Sequence, residues 1–142
     1  VEAKTMAFKK LKIEALVQAP ISRVWECWTR PEHITQWNFA SDDWCCPSAR
    51  VDLRPGGNYC ARMEAKDGSM GFDFEAKYED VVHEGRVALL LGDGRRAVTQ
   101  FERLGNDTRV VTVFDAETQN SLELQQQGWQ AILNQFKKHV EG

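Results

Sequence analysis

No stretch of this chain is apolar for long enough to span a bilayer, and from its opening residues no signal peptide is expected. A basic excess is missing too: 18 Lys and Arg stand against 21 Asp and Glu, a formal net charge of −3. Nucleic-acid binding needs a concentrated basic stripe to displace phosphate counterions. Here the basic groups are scattered as Lys9, Lys10 and Lys12, then Arg95 and Arg96, then Lys137 and Lys138. They read as solvated strand edges, a turn and a helix C-terminus. The four cysteines lack the spaced pairs of a zinc site, with Cys45 and Cys46 adjacent and Cys27 and Cys60 alone. No Gly-x-Ser-x-Gly elbow is present. These absences point away from membrane spanning and nucleic-acid binding, and toward a cytoplasmic chain with reduced thiols and no metal or other cofactor. In that setting the sequon Asn106-Asp107-Thr108 is a chance match.

What is present is the composition of an ordinary globular protein, 42% hydrophobic and 27% charged. A length of 142 residues suits one domain over residues 1–142, with a sizeable core. Val1 followed by Met6 reads as a processed end.

The order of elements carries most of the information. Leu11, Ile13, Ala15 and Val17 alternate with polar residues, the pattern of a half-buried strand. Pro20 then opens a helix whose apolar face is Ile21, Val24, Trp25 and Trp28, at i, i+3, i+4 and i+7. Thr29-Arg30-Pro31-Glu32 reads as a capping box for a second short helix anchored by Ile34 and Trp37. Residues 38–48, including Trp44, show no periodicity and read as a loop. Six strands bounded by turn residues follow, the clearest alternating Phe72, Phe74, Ala76 and Tyr78 with charged residues. Their short turns allow only antiparallel neighbours, hence a meander. A last helix begins at Asn120 or Ser121, and its apolar face is Leu122, Trp129, Ile132, Leu133, Phe136 and Val140. Gly128 interrupts it, either for close approach to the sheet or to leave space beside a ligand.

The chemical motifs are weak. Gly92-Asp93-Gly94-Arg95-Arg96-Ala97 has the letters of a dinucleotide fingerprint, but a strand follows it where that motif needs a helix, so it reads as a hairpin turn. His33, His83 and His139 share no helix or strand face and read as surface or turn residues; a metal site would have to assemble from remote positions. Asp73 and Glu75 could be a carboxylate pair, but their alternation with Phe72 and Phe74 turns them to solvent, and Arg62 and Glu64 likewise. Cys45 or Cys46 would become a nucleophile only beside a cation or helix terminus. The aromatics carry more. Trp37, Phe39 and Trp44 lie around the loop, and Tyr59, Met63, Phe72, Phe74 and Phe101 fall on the apolar faces of strands. With Trp28, Trp129 and Leu133 from the helices they form the candidate wall of a small-molecule site.

Three stretches together carry a family resemblance. They are Ala19-Pro20-Ile21-Ser22-Arg23-Val24-Trp25 running on to Trp37, Asp52-Leu53-Arg54-Pro55-Gly56-Gly57-Asn58-Tyr59 with Asp67-Gly68, and Gly128-Trp129 with Ala131-Ile132-Leu133. In order and spacing they resemble the SRPBCC (START-like) superfamily, and within it the bacterial relatives of the C-terminal domain of the activator of the ninety-kilodalton heat-shock protein ATPase. The resemblance implies an α+β helix-grip fold, in which a seven-stranded antiparallel sheet wraps a long C-terminal helix around a cavity. It assigns Trp28, Trp37, Tyr59 and Trp129 to pocket positions and implies no catalytic set. The run Gln36-Trp37-Asn38-Phe39-Ala40 departs from many relatives, which carry a second aromatic or a Pro there, so the pocket mouth is expected to differ in shape. The expected function is binding of a small apolar ligand. The alternatives are a co-chaperone-like protein-interaction module and a cyclase or hydrolase working through cavity carboxylates.

Overall fold

A computed structural model describes residues 8–142; Val1 and Met6, the proposed processed end, lie outside the described residues. The strands are β1 (Lys10–Val17), β2 (Trp44–Val51), β3 (Asn58–Ala65), β4 (Gly71–Val82), β5 (Arg86–Leu91), β6 (Arg96–Leu104) and β7 (Asp107–Asp115). The helices are α1 (Ile21–Thr29) and α2 (Pro31–Trp37) between β1 and β2, and α3 (Leu122–Glu141) at the end. The sheet order is β1-β7-β6-β5-β4-β3-β2, every neighbour antiparallel. This is the α+β helix-grip fold. The six-strand meander follows from its tight turns, one of them the Gly92-Asp93-Gly94 hairpin with Gly94 at φ 93°. Among the described residues only β1 reaches the sheet by a crossover, the one the two short helices make.

Register explains where space is left. β4 pairs with β5 only through Ala76–Val82, while Gly71–Lys77 pair with β3. The β3–β4 hairpin therefore extends past the end of β5, and its inward side chains Phe72 and Phe74 have no further strand beside them on that side. Phe72 is 49% exposed as a result, although its alternation marks it as core. The alternation does set the faces: Met63 stands opposite Phe72 and Ala61 opposite Phe74 on the inside. Asp73 and Glu75 are exposed outside, where Arg62 pairs with Glu64 at 2.9 Å and Asp73 at 3.5 Å.

The long helix also solves a problem that every open sheet has. β1 is an edge strand, and its free carbonyls would invite pairing with another chain. Gln126 and Gln130 donate from α3 to the carbonyls of Lys12 (3.0 Å) and Glu14 (3.2 Å), and Lys137 Nζ to that of Leu16 (2.9 Å). Ser121 caps the helix by accepting from the Leu124 N–H at 3.1 Å. Gln125 is buried just inside: its Oε1 accepts from the Glu117 N–H, and its Nε2 donates to the carbonyls of Glu117 and Asn120.

Three local expectations are corrected. Trp44 begins β2 rather than sitting in a loop; Pro47 and a register shift between Cys45 and Ser48 erase the period-two signal there. Thr29 is no cap. It ends α1 and donates its hydroxyl to the Trp25 carbonyl at 2.8 Å, while α2 starts at Pro31, whose missing N–H needs no partner. Leu122 does not join the buried face of α3: in the first turn Leu122 is 39% and Leu124 56% exposed, and Gln125 is the buried residue.

Two stability predictions arise here. A Cβ at Gly128 would have nothing within 4 Å, so close approach to the sheet is not its role. Gly128→Ala is expected to stabilise the protein by about 1 kcal/mol through helix propensity, read as a rise in the urea midpoint. The second concerns Asp115, buried where three strands meet. It accepts from Lys10 Nζ at 2.7 Å and from the Arg96 N–H at 2.8 Å. Burial pushes its carboxyl up, but the two hydrogen bonds and the charges of Lys10 and Arg96 outweigh it and hold the group below its ordinary 3.8. A depressed folded value means that this stabilisation is complete above the unfolded value and is lost as pH falls through the folded one. Asp115→Asn should cost about 1–3 kcal/mol at neutral pH, and the gap from the parent should close in acid below that range.

Candidate functional site

α1, α2 and α3 converge on one aromatic cluster. Trp28 and Trp37 stack at 5.1 Å and 24°, and Phe136 meets both edge-on at 4.9 Å. Trp37 is locked in place by its indole N–H, which donates to the Cys27 carbonyl at 3.0 Å. This cluster closes one end of the concave face. Beyond it, between the helices and the inner faces of β3 to β7, lies a cavity of about 260 Å³.

Of the residues expected to form a site, Trp28 and Trp37 make the helical wall, and Tyr59, Met63, Phe72 and Phe74 the side formed by the overhanging hairpin. Trp129 and Leu133 face them from α3. Trp129 is held flat against Phe114, at 4.0 Å and 5°. Three candidates stand off the cavity. Phe101 lies on the correct face of β6 but toward the closed end, wedged edge-on against Trp25 (5.5 Å) and Trp28 (5.8 Å). Trp44, at the start of β2, packs against Cys46, Ala61 and Met63 and meets Phe72 at 6.2 Å without lining the cavity. Phe39 is carried away when the chain turns after α2, its N–H donating to the Trp37 carbonyl, and Asn38 reaches the cavity instead.

The polar groups were missed at the sequence level. Thr99 and Thr112 stand opposite each other on β6 and β7, both buried, their hydroxyls 2.7 Å apart. One proton is used between them, which leaves a second O–H for another acceptor. With Asn38 and the Tyr59 phenol they are the polar features of a wall that is otherwise apolar and also includes Ile13, Leu89 and Ile132. The alternation of Ala97, Thr99 and Phe101 placed Thr99 on the inner face. Nothing in the local pattern paired it with Thr112, because Val111 and Val113 draw the eye to the other face of β7. Burial, then the neighbouring Tyr78, Cys46 and Cys60, push the Tyr59 phenol well above its usual value, so it stays neutral. No residue lining the cavity carries a carboxylate or an amine, so a cyclase or hydrolase acting through cavity carboxylates lacks its acid there.

The sequence profile that describes activator of Hsp90 ATPase homolog 1-like proteins matches residues 18–141. The solution structure of an AHSA1-like protein from Aeromonas hydrophila is 44% identical to the chain; the match covers 94% of this chain and 92% of that one, with a TM-score of 0.88. A solution structure from Cytophaga hutchinsonii is 45% identical, over 93% of this chain and 92% of that one, with a TM-score of 0.81. A crystal structure from Chromobacterium violaceum shares the fold at 20% identity and a TM-score of 0.84, over 94% of this chain and 99% of that one. No curated protein matches the chain.

Proposed function

The chain belongs to the family of activator of Hsp90 ATPase homolog 1-like proteins, and on that premise we propose that it binds a small, mostly apolar molecule in the cavity beneath α3. The observation that carries this reading is the cavity itself. At about 260 Å³ it exceeds the ~150 Å³ void that accepts benzene and falls just short of the ~300 Å³ at which drug-sized pockets begin. Its occupant is therefore a molecule of one or two rings, or a short acyl chain. Exclusion of water from aromatic and aliphatic walls supplies the affinity. The Thr99–Thr112 pair and Asn38 orient a single polar group. Chemistry on the ligand is no part of this reading, and neither is a cofactor. The protein acts as one domain, in the cytoplasm, a setting in keeping with its four free cysteines.

The test is a thermal-shift and native mass spectrometry screen of small aromatics, flavonoid and polyketide fragments, and short fatty acids. A ligand in the cavity would raise Tm and change tryptophan fluorescence, since Trp28, Trp37 and Trp129 line it. A screen in which nothing stabilises the protein would count against ligand carriage.

One observation favours a second reading, a docking module for a heat-shock ATPase as the family description suggests. The tip of the β3–β4 hairpin presents Met70 (63% exposed) and Phe72 to solvent, a small apolar projection of the kind protein partners cover. Under this reading Met70→Ser would weaken stimulation of the partner's ATP hydrolysis without changing ligand-induced Tm shifts.

A further inference from the structure

Behind the aromatic cluster the three helices meet a second time, through side chains far apart in sequence. Cys27 lies near the end of α1 and is wholly buried, His33 is in the first turn of α2, and His139 is in the last turn of α3. One ligand atom from each lies within 4.8 Å of the others. His33 Nδ1 and His139 Nε2 are 3.0 Å apart, with their rings at 64°. At that distance one imidazole donates to the other. The same approach of two imidazole nitrogens, with a thiol beside them, is the donor arrangement of a transition-metal site. Tetrahedral zinc, with Zn–N near 2.0–2.1 Å and Zn–S near 2.3 Å, holds such donors about 3.3–3.6 Å apart. The pair would have to open by about a third of an ångström and the sulfur to close by at most about 1.2 Å.

We propose that Cys27, His33 and His139 bind a zinc-class cation at the junction of the three helices, with a solvent molecule as fourth ligand. Both histidines are half-buried, so the open side faces water. Thiolate with imidazole selects Zn²⁺ over the hard cations Mg²⁺ and Ca²⁺. Two features temper the affinity. Burial pushes the Cys27 thiol up, so the ion must displace its proton, and binding strengthens as pH rises. The charge of Arg23 also reaches both Cys27 and His139 and opposes a cation, while that of Glu26 reaches Cys27 and favours one. The site would clamp α1, α2 and α3 together. Because the Cys27 carbonyl holds the Trp37 indole, an ion there would stiffen one wall of the cavity.

The experiment is a titration of the metal-free, reduced protein. Zn²⁺ at about a hundredfold excess over Kd is expected to raise Tm by about 5–10 °C. Co²⁺ is expected to give tetrahedral d–d bands and a thiolate-to-metal charge-transfer band at one equivalent. Cys27→Ser should abolish the charge-transfer band, and Cys45→Ser and Cys60→Ser should retain it. His139→Gln, at a half-exposed position and checked for folding by near-ultraviolet circular dichroism, should weaken binding at least tenfold. It tests the site even if Cys27→Ser fails to fold. No Tm shift and no charge-transfer band with the parent protein would reduce the cluster to a hydrogen-bonded histidine pair and overturn the proposal. A band that survives Cys27→Ser, or unchanged affinity in folded His139→Gln, would overturn it equally.

Discussion

Phe136→Ala is expected to remove about 3–5 kcal/mol of stability, the range for deleting a large buried aromatic. Phe136 has no exposed surface and touches both stacked tryptophans edge-on, so it joins α3 to the α1–α2 pair. Its removal leaves a void bounded by Trp28 and Trp37, and neither ring can swing into it freely. Trp37 is tied to the Cys27 carbonyl, and relaxation that is only partial is what makes cavity formation costly. Urea unfolding of the parent, Phe136→Ala and Phe136→Leu should show the leucine variant recovering a good part of the loss. A loss below about 1 kcal/mol in the alanine variant would mean that α3 is held by its edge contacts to β1 and not by this cluster.

The second large effect is on binding. Ala97 is buried on the inner face of β6, between Leu89 of β5 and Phe114 of β7, and lines the cavity. Ala97→Phe would direct a ring into the space assigned to the ligand. For any ligand found by the screen, affinity is expected to fall at least a hundredfold, about 2.7 kcal/mol, by isothermal titration calorimetry. Tm without ligand should stay within a few degrees of the parent. A filled interior would answer differently, since overpacking a close-packed core costs about 1–3 kcal/mol. A Tm lowered to match, with ligand affinity intact, would refute the location of the site.

Much of the framework was legible because it rests on local regularities. The period-two pattern of Phe72, Phe74, Ala76 and Tyr78 assigned a strand and its inner face, and Asp73 and Glu75 are outside as the pattern requires. Glycine turns too short for a crossover dictated antiparallel neighbours. Asn120 and Ser121 were both identifiable as candidate caps, because a side-chain acceptor is needed before the first unpaired amides of any helix, and the structure places Ser121 in that role. Errors arose where one local signal had two meanings. Thr29-Arg30-Pro31-Glu32 has the letters of a capping box, yet Thr29 is still helical and returns its hydroxyl to the preceding turn. Trp44 lost its strand signal to the irregularity around Pro47.

The site was legible to a lesser degree, and the reason is sequence distance. The aromatic wall could be listed from alternation and helical faces, but alternation says which side of the sheet a residue occupies and not how far along the grip it lies. Phe101 shares its face with Thr99, and only the closed end of the grip separates their roles. The Thr99–Thr112 pair needs the β6–β7 register, and the meeting of Cys27, His33 and His139 needs three helices docked on one another.

By itself the amino-acid sequence determined the kinds and order of elements, the antiparallel meander and the inward-facing residues of β4, because these follow from backbone geometry and burial over a few residues. Tertiary structure alone decided that the β3–β4 hairpin overhangs β5, that a cavity of about 260 Å³ stays open beside it, and which polar groups meet. Those outcomes depend on strand stagger and on the angle at which α3 crosses the sheet. Both are set by packing summed over the whole molecule, and no local window of residues encodes them.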